Sequence, residues 1–222
     1  MRNTISPVLF AMACAAATPA MADDTQYWQT VTVNVALPDS FKLQNEVVLR
    51  SSDARGFYQF QNTLMAGKKV SKVTTLWLGY TFTTLYDHGT FTSREHRFRQ
   101  QVNFDGFAVA GKVKFSSRVR LEQRWREGRT GTGWRLRPQI KASTPLAGKT
   151  TISVASEAII NLNNTGFQTK DGVDRLRTSV SIGVPLTKAV SMDFGYLNQH
   201  TFVNAAPDTD DHVLTLGLSA SF

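Results

Sequence analysis

The sequence predicts an all-β fold, a single-chain antiparallel transmembrane β-barrel of about ten to twelve strands. Three observations carry that expectation. Apolar and polar residues alternate with a period of two over most of the chain, short turns and longer polar loops succeed one another, and arginines are sorted onto one face of the alternating stretches. A period of two sends successive side chains to opposite faces of a strand. A strand that is apolar on one face and charged on the other fits a barrel whose outer surface meets lipid and whose inner surface does not.

The first residues read as an export segment. Arg2 gives a short positive region, Ile5 to Ala17 an apolar one, and Ala20-Met21-Ala22 a small-x-small cleavage pattern before Asp23. The apolar run is too short to make a good spanning helix. Cys14 raises a lipoprotein alternative, but Ala11-Met12-Ala13 lacks the branched apolar residue expected three before the cysteine, so residues 1–22 are assigned to an ordinary Sec-type signal and 23–222 to an outer-membrane barrel domain. Cleavage after Ala22 would remove the only cysteine, and with it any disulfide, thiol nucleophile or cysteine-based metal site. It would also lower the formal charge from +8 to +7. The remaining chain carries no long apolar run. Its modest mean hydropathy of −0.21 is no argument against a membrane, because lipid-facing and lumen-facing residues alternate in a barrel.

In chain order, Tyr27 to Leu37 and Phe41 to Ser51 flank Pro38-Asp39 as a first hairpin. Leu76, Leu78, Tyr80 and Phe82 share a face opposite Thr75, Trp77, Gly79, Thr81 and Thr83. Val180, Ile182 and Val184 alternate with Ser179, Ser181 and Gly183, and Met192, Phe194 and Tyr196 with Ser191, Asp193 and Gly195. A short turn motif recurs at Ala66-Gly67-Lys68, Ala110-Gly111-Lys112 and Ala147-Gly148-Lys149, with Pro185-Leu186-Thr187-Lys188 as a looser copy. The spacings of 44, 37 and about 40 residues suit two strands, a turn and a loop. Longer polar stretches lie between, at Tyr86 to Thr90, Glu127 to Gly133, Asn163 to Gly172 and Phe202 to Asp211. Pro138 falls inside a strand, where it removes one ladder hydrogen bond. Eleven strands can be counted, whereas a barrel with both ends on one side needs an even number.

Lysine and arginine are sorted differently. Eight of the ten lysines lie in or beside the short turns. Arginines occupy alternate strand positions: Arg97 and Arg99; Arg118, Arg120, Arg124 and Arg126; Arg135 and Arg137; Arg175 and Arg177. From Arg94 to Arg137 there are twelve basic and four acidic residues. Arginine at the bilayer midplane costs about 2–4 kcal/mol, so these side chains are expected to point inward. With Arg50 the inward set is eleven arginines against five acids (Glu46, Glu95, Glu122, Glu157 and Asp193), which leaves six without a one-to-one partner.

Two functional readings follow. A water-filled, positive lumen makes a narrow channel that prefers small anions, because guanidinium holds carboxylates and phosphates in two-point contacts. The alternative is a non-conducting scaffold filled by an internal salt-bridge network. The candidate lumen or anion-binding residues are Arg97, Arg99, Arg118, Arg120, Glu122, Arg124, Arg135, Arg137, Glu157, Arg175 and Arg177. No metal or cofactor site is expected, since no histidine pair has ligand spacing. An enzyme reading, an outer-membrane lipid hydrolase built on His200, lacks an evident partner serine. Nucleic acid is not the expected partner of this basic chain, because the arginines are sorted onto strand faces in an exported protein.

Three resemblances add to this. The segment Leu214 to Phe222 alternates strictly and ends on Phe, and Thr215, Gly217 and Phe222 fit the C-terminal insertion signal of Gram-negative outer-membrane barrels; Ala220 stands where a second aromatic is common. That signal implies insertion by the barrel-assembly machinery, and contact with membrane lipid and lipopolysaccharide. The core Arg118-Val119-Arg120-Leu121-Glu122-Gln123-Arg124-Trp125, with Arg135-Leu136-Arg137, resembles an uncharacterised family, a domain of unknown function taken to be a small outer-membrane barrel. Trp28, the Arg50 strand, Leu78-Gly79-Tyr80 and His212 to Phe222 fit it as well. More distantly the chain is similar to the oligogalacturonate-type and sialic-acid porins, and that similarity implies an acidic oligosaccharide as solute.

Overall fold

A computed structural model describes residues 24–204 and 206–222 of the chain. The export segment expected at 1–22, with Cys14, lies outside the described residues. Eleven strands follow in order: β1 (Asp24–Ala36), β2 (Phe41–Ser52), β3 (Gly56–Lys69), β4 (Thr74–Asp87), β5 (Thr90–Ala110), β6 (Val113–Arg126), β7 (Gly133–Ala147), β8 (Thr150–Asn161), β9 (Gly172–Pro185), β10 (Val190–Thr201) and β11 (Thr209–Ser221). Each pairs with its neighbour in sequence, and β1 closes against β11.

The closure corrects one expectation. Ten of the pairings are antiparallel, but β1 and β11 run parallel, with Asp24 beside Asp211 and Asn34 beside Ser221. An odd number of up-and-down strands leaves the first and last pointing the same way, so Asp24 and Phe222 sit at opposite mouths. The end of β11 is held by backbone bonds from Ala36 N to Phe222 O (2.8 Å) and from Phe222 N to Asn34 O (3.0 Å). Every strand thus has two partners, and no ladder edge is left open among the described residues.

From β5 onward short turns and longer loops alternate, and two places differ from the sequence reading. Ala66-Gly67-Lys68 lies inside β3, and the turn comes at 70–73. Gly67 is required there for another reason: a Cβ on it would come within 2.5 Å of the Trp77 ring, which packs inward across it. The Tyr86 to Thr90 stretch is a tight connection, its only non-strand residues being His88 and Gly89, both at positive φ. The other predicted turns and loops stand where expected. Pro138 remains in β7 opposite Val119, but the β7–β8 register skips Arg137 and Pro138, passing from Leu136↔Ile160 to Gln139↔Glu157.

The barrel is polar within and apolar without. Among the described residues seven buried side chains are hydrophobic and twenty-three are polar or charged, the reverse of a water-soluble core. Leu64, Leu78, Ile140 and Leu214 are all more than half exposed on the outer face. Nine exposed aromatic residues lie toward the two ends, Tyr27, Phe57, Phe91, Trp125 and Trp134 at the long-loop mouth and Phe41, Phe104, Phe107 and Phe222 at the other, while Tyr80, Phe194 and Tyr196 stand between them. An apolar outer face of this kind is compatible with a lipid surround. No described helix is long and apolar enough to cross a membrane.

Candidate functional site

The strand register brings the arginines together. Arg99 on β5, Glu122 on β6 and Arg135 on β7 lie side by side in one row, and so do Glu95 and Arg126. Two pairs oppose like charges directly, Arg97↔Arg124 and Arg120↔Arg137. Such pairs are destabilising unless a carboxylate is shared between them.

Three buried glutamates do the sharing. Glu95, with no solvent exposure, accepts from Arg97 Nε (2.5 Å), from both Nε and Nη2 of Arg124 (2.9 Å each) and from Arg126 Nη2 (2.8 Å). Glu122, equally enclosed, accepts from Arg135 Nε (2.9 Å) and Arg137 Nη1 (3.2 Å), with Arg99 Nε at 3.2 Å and Arg120 Nη1 at 3.8 Å. Glu157 accepts from Arg118 Nη2 (2.5 Å) and Arg137 Nη2 (2.6 Å), and Arg177 Nη1 stands 3.6 Å away. Glu46 adds a longer contact to Arg99 at 3.8 Å. Neutral side chains take further donors: Arg97 to Gln61, Arg99 to Thr63, Arg120 to Gln101, Arg177 to Gln199.

All the predicted lumen residues therefore face inward, but the expectation of six unpaired arginines is corrected. One-to-one pairing is the wrong count, because a carboxylate has two oxygens with several acceptor sites, and Glu95, Glu122 and Glu157 each serve three or four guanidiniums. Nine arginines touch Glu46, Glu95, Glu122 or Glu157. Among the described residues Arg175 forms an ion pair with its neighbour Asp174 alone, at 3.4 Å. Arg50 has no hydrogen bond or ion pair among the described residues; its guanidinium lies 3.8 Å over the Trp28 ring, and its Nε is buried without a partner. Asp193 makes no ion pair there either and stands against Gly183.

Cavities follow one another along the axis. The largest, about 540 Å³, opens beneath the long loops, and among its lining residues ten are basic and two, Asp174 and Asp211, are acidic. A second of about 290 Å³ lies deeper, and a third of about 220 Å³ is lined by Thr32, Asp105, Ser116 and Lys141 toward the short turns. The first two share Trp28, Arg50, Arg137 and Arg177, and the second and third share Glu46, Arg118, Arg120 and Gln139. These two groups of side chains are partitions across the lumen.

A family model described as a protein of unknown function, DUF2490, matches residues 25–210. The chain belongs to the DUF2490 family. An uncharacterized protein of Methylorubrum extorquens is 31% identical over 224 residues, covering 95% of this chain and 96% of its own length. The expected membership in an uncharacterised barrel family thus holds, and the arginine-glutamate core that carried it falls inside the matched residues.

Sequence reasoning gave several residues of the lumen no role in it. Trp28 Nε1 donates to Tyr58 OH (2.9 Å) and Gln26 Oε1 (3.0 Å), a buried cluster that no charge pattern announces. Gln168, in the loop 162–171, turns into the mouth: its Nε2 donates to Asn163 O (2.7 Å) and Trp134 O (3.0 Å), while its Oε1 accepts from Arg124 Nη1 (3.0 Å). Beside it Phe167 packs against Arg124 and Arg126, with 5.3 and 5.2 Å from guanidinium carbon to ring centre. The loop thus roofs part of the vestibule. His200, the residue of the hydrolase reading, contacts Asp208 and Asp210. The amide of Val203 donates to Asp208 at 2.8 Å and, with His200, holds that carboxyl below its ordinary pKa.

Proposed function

We propose that the chain is an exported outer-membrane barrel that acts as a narrow, anion-preferring channel for small acidic solutes. One observation carries the reading: the vestibule under the long loops is lined by ten cations and two acids. Such a mouth concentrates anions from solution, and in a low-dielectric wall the effect is stronger than on an open surface. The polar interior, the apolar outer band and the terminal Gly217 and Phe222 support insertion among lipid and lipopolysaccharide by the barrel-assembly machinery after Sec export and loss of residues 1–22. No enzymatic step and no cofactor enter this reading.

A second reading, a non-conducting scaffold, is favoured by the full enclosure of Glu95 and Glu122 within a shared network. Conductance separates the two. Protein inserted in planar bilayers under a salt gradient is expected to give discrete steps with an anion-selective reversal potential. Arg120→Gln, which removes one cation from the inner partition, is expected to weaken that selectivity. A folded barrel that stays silent would replace the channel with the scaffold.

A further inference from the structure

The partition between vestibule and inner lumen consists of Trp28, Arg50, Arg137 and Arg177, and three of the four are held. Arg137 is bound to Glu122 and Glu157, Arg177 to both Gln199 Oε1 and the edge of Glu157, and Trp28 to Gln26 and Tyr58. Arg50 alone has no hydrogen-bonded or ionic partner among the described residues, although it borders both cavities. Beside it, in the adjacent register position on β3, Gln59 presents a second buried donor, Nε2, that is also unbonded and lines the vestibule. Unsatisfied buried donors are uncommon in folded proteins and carry a desolvation cost.

We propose that Arg50, backed by Gln59, is the oxyanion-binding and specificity-determining residue of this barrel, and that its ligand is a small hydroxylated acid held by a carboxylate or phosphate head. The proposal rests on the reading of an anion-accepting lumen and names where the anion stops. A ligand that binds Arg137 or Arg177 must first displace a glutamate. One that binds Arg50 displaces only solvent, so the charge-assisted contact is realised in full. The guanidinium offers a two-point fork and Gln59 a third donor for the same head. Gln26, Asn161 and Gln199 on the vestibule wall suit hydroxyl groups, and about 540 Å³ lies in the range of pockets for small organic ligands. Arg50 borders both compartments, so a head bound there can pass from one to the other without crossing the glutamate network.

Calorimetric titration of the detergent-purified protein tests this with glucuronate, with glucose as the same body lacking the charge, and with inorganic phosphate as a head without a body. Glucuronate is expected to bind and glucose not. Phosphate binding that competes with glucuronate would show that the head is read, and glucuronate binding that phosphate leaves untouched would identify a carboxylate site. Arg50→Gln is expected to weaken glucuronate binding by about ten- to a hundredfold, the loss of one charge-assisted contact. Arg50→Lys, which keeps the charge and loses the fork, should fall between, and Arg129→Gln on the exposed 127–132 loop should match the parent. Because Arg50 makes no ion pair, Arg50→Gln should also melt no lower than the parent; a clear fall would mark Arg50 as a structural ion and overturn the assignment. Equal glucuronate affinity in parent and Arg50→Gln, or no anion binding by the parent, would overturn it as well. Binding that depends on Arg50 in a silent barrel would keep the site and remove the channel, whereas anion-selective conductance with Arg50-independent binding would do the reverse.

Discussion

At the scale of single residues, the interior sets two kinds of arginine side by side. Arg135 and Arg137 owe their tolerance in a buried place to Glu122, which itself has no exposure. Arg50 instead lies against an aromatic face and borders the open space of two cavities. Removing the shared carboxylate of a buried network leaves uncompensated cations, a loss of about 3–5 kcal/mol. Glu122→Gln is therefore expected to lower stability by that order, read as an earlier urea midpoint for unfolding of the barrel. An unchanged midpoint would mean that the cluster is solvated and not structural. The positions of these charges were legible in the sequence, because a period of two assigns a face to each arginine once one face must meet lipid. Their partners were not. Sharing of one carboxylate among three or four guanidiniums depends on which residues stand abreast, and register across strands leaves no local trace.

At the scale of elements, strands were legible and their ends less so. Alternation reports a strand's face, and it continues smoothly through Ala66-Gly67-Lys68, where a glycine demanded by the Trp77 ring imitates a turn glycine. Pro138 reads as a break, yet β7 runs through it and only the pairing to β8 is interrupted. Loop conformation was the least legible: nothing local marks Gln168 as a side chain that folds back into the mouth. Its amide joins the loop carbonyl of Asn163 at 2.7 Å and the β7 carbonyl of Trp134 at 3.0 Å to Arg124, so one residue ties the 162–171 loop to the charged wall. Gln168→Ala removes those bonds from a buried position, a cost of about 1–3 kcal/mol confined to the loop. Limited proteolysis is expected to cut the variant within 162–171 faster than the parent while the barrel core stays intact. Equal cleavage rates would show that the loop is held by Phe167 stacking or by its own turns.

At the scale of the whole molecule, the parallel seam decides where the ends of the barrel lie. The sequence reading reached eleven strands but treated the odd count as an error, since antiparallel closure requires an even one. Parallel pairing satisfies every ladder group as completely, with bonds that are evenly spaced and slanted. It therefore permits an odd barrel, and a chain read strand by strand cannot reveal this because the seam joins residues nearly two hundred positions apart. The seam can be tested by covalent capture. Asp24 stands beside Asp211, with both side chains on the inner face, whereas Ser221 lies at the opposite mouth. A disulfide needs Cα atoms within about 7 Å, so only true neighbours can form one. In a Cys14-free background, the double variant Asp24→Cys with Asp211→Cys is expected to cross-link under mild oxidation. It would then migrate as a circularised species after heat denaturation. Asp24→Cys with Ser221→Cys should stay open. The reverse pattern would require β1 to run antiparallel to β11, which would change the strand count and bring both ends to one mouth. The vestibule would then lose the wall on which Trp28 and Arg50 stand, so the same two variants also test the geometry on which the oxyanion site depends.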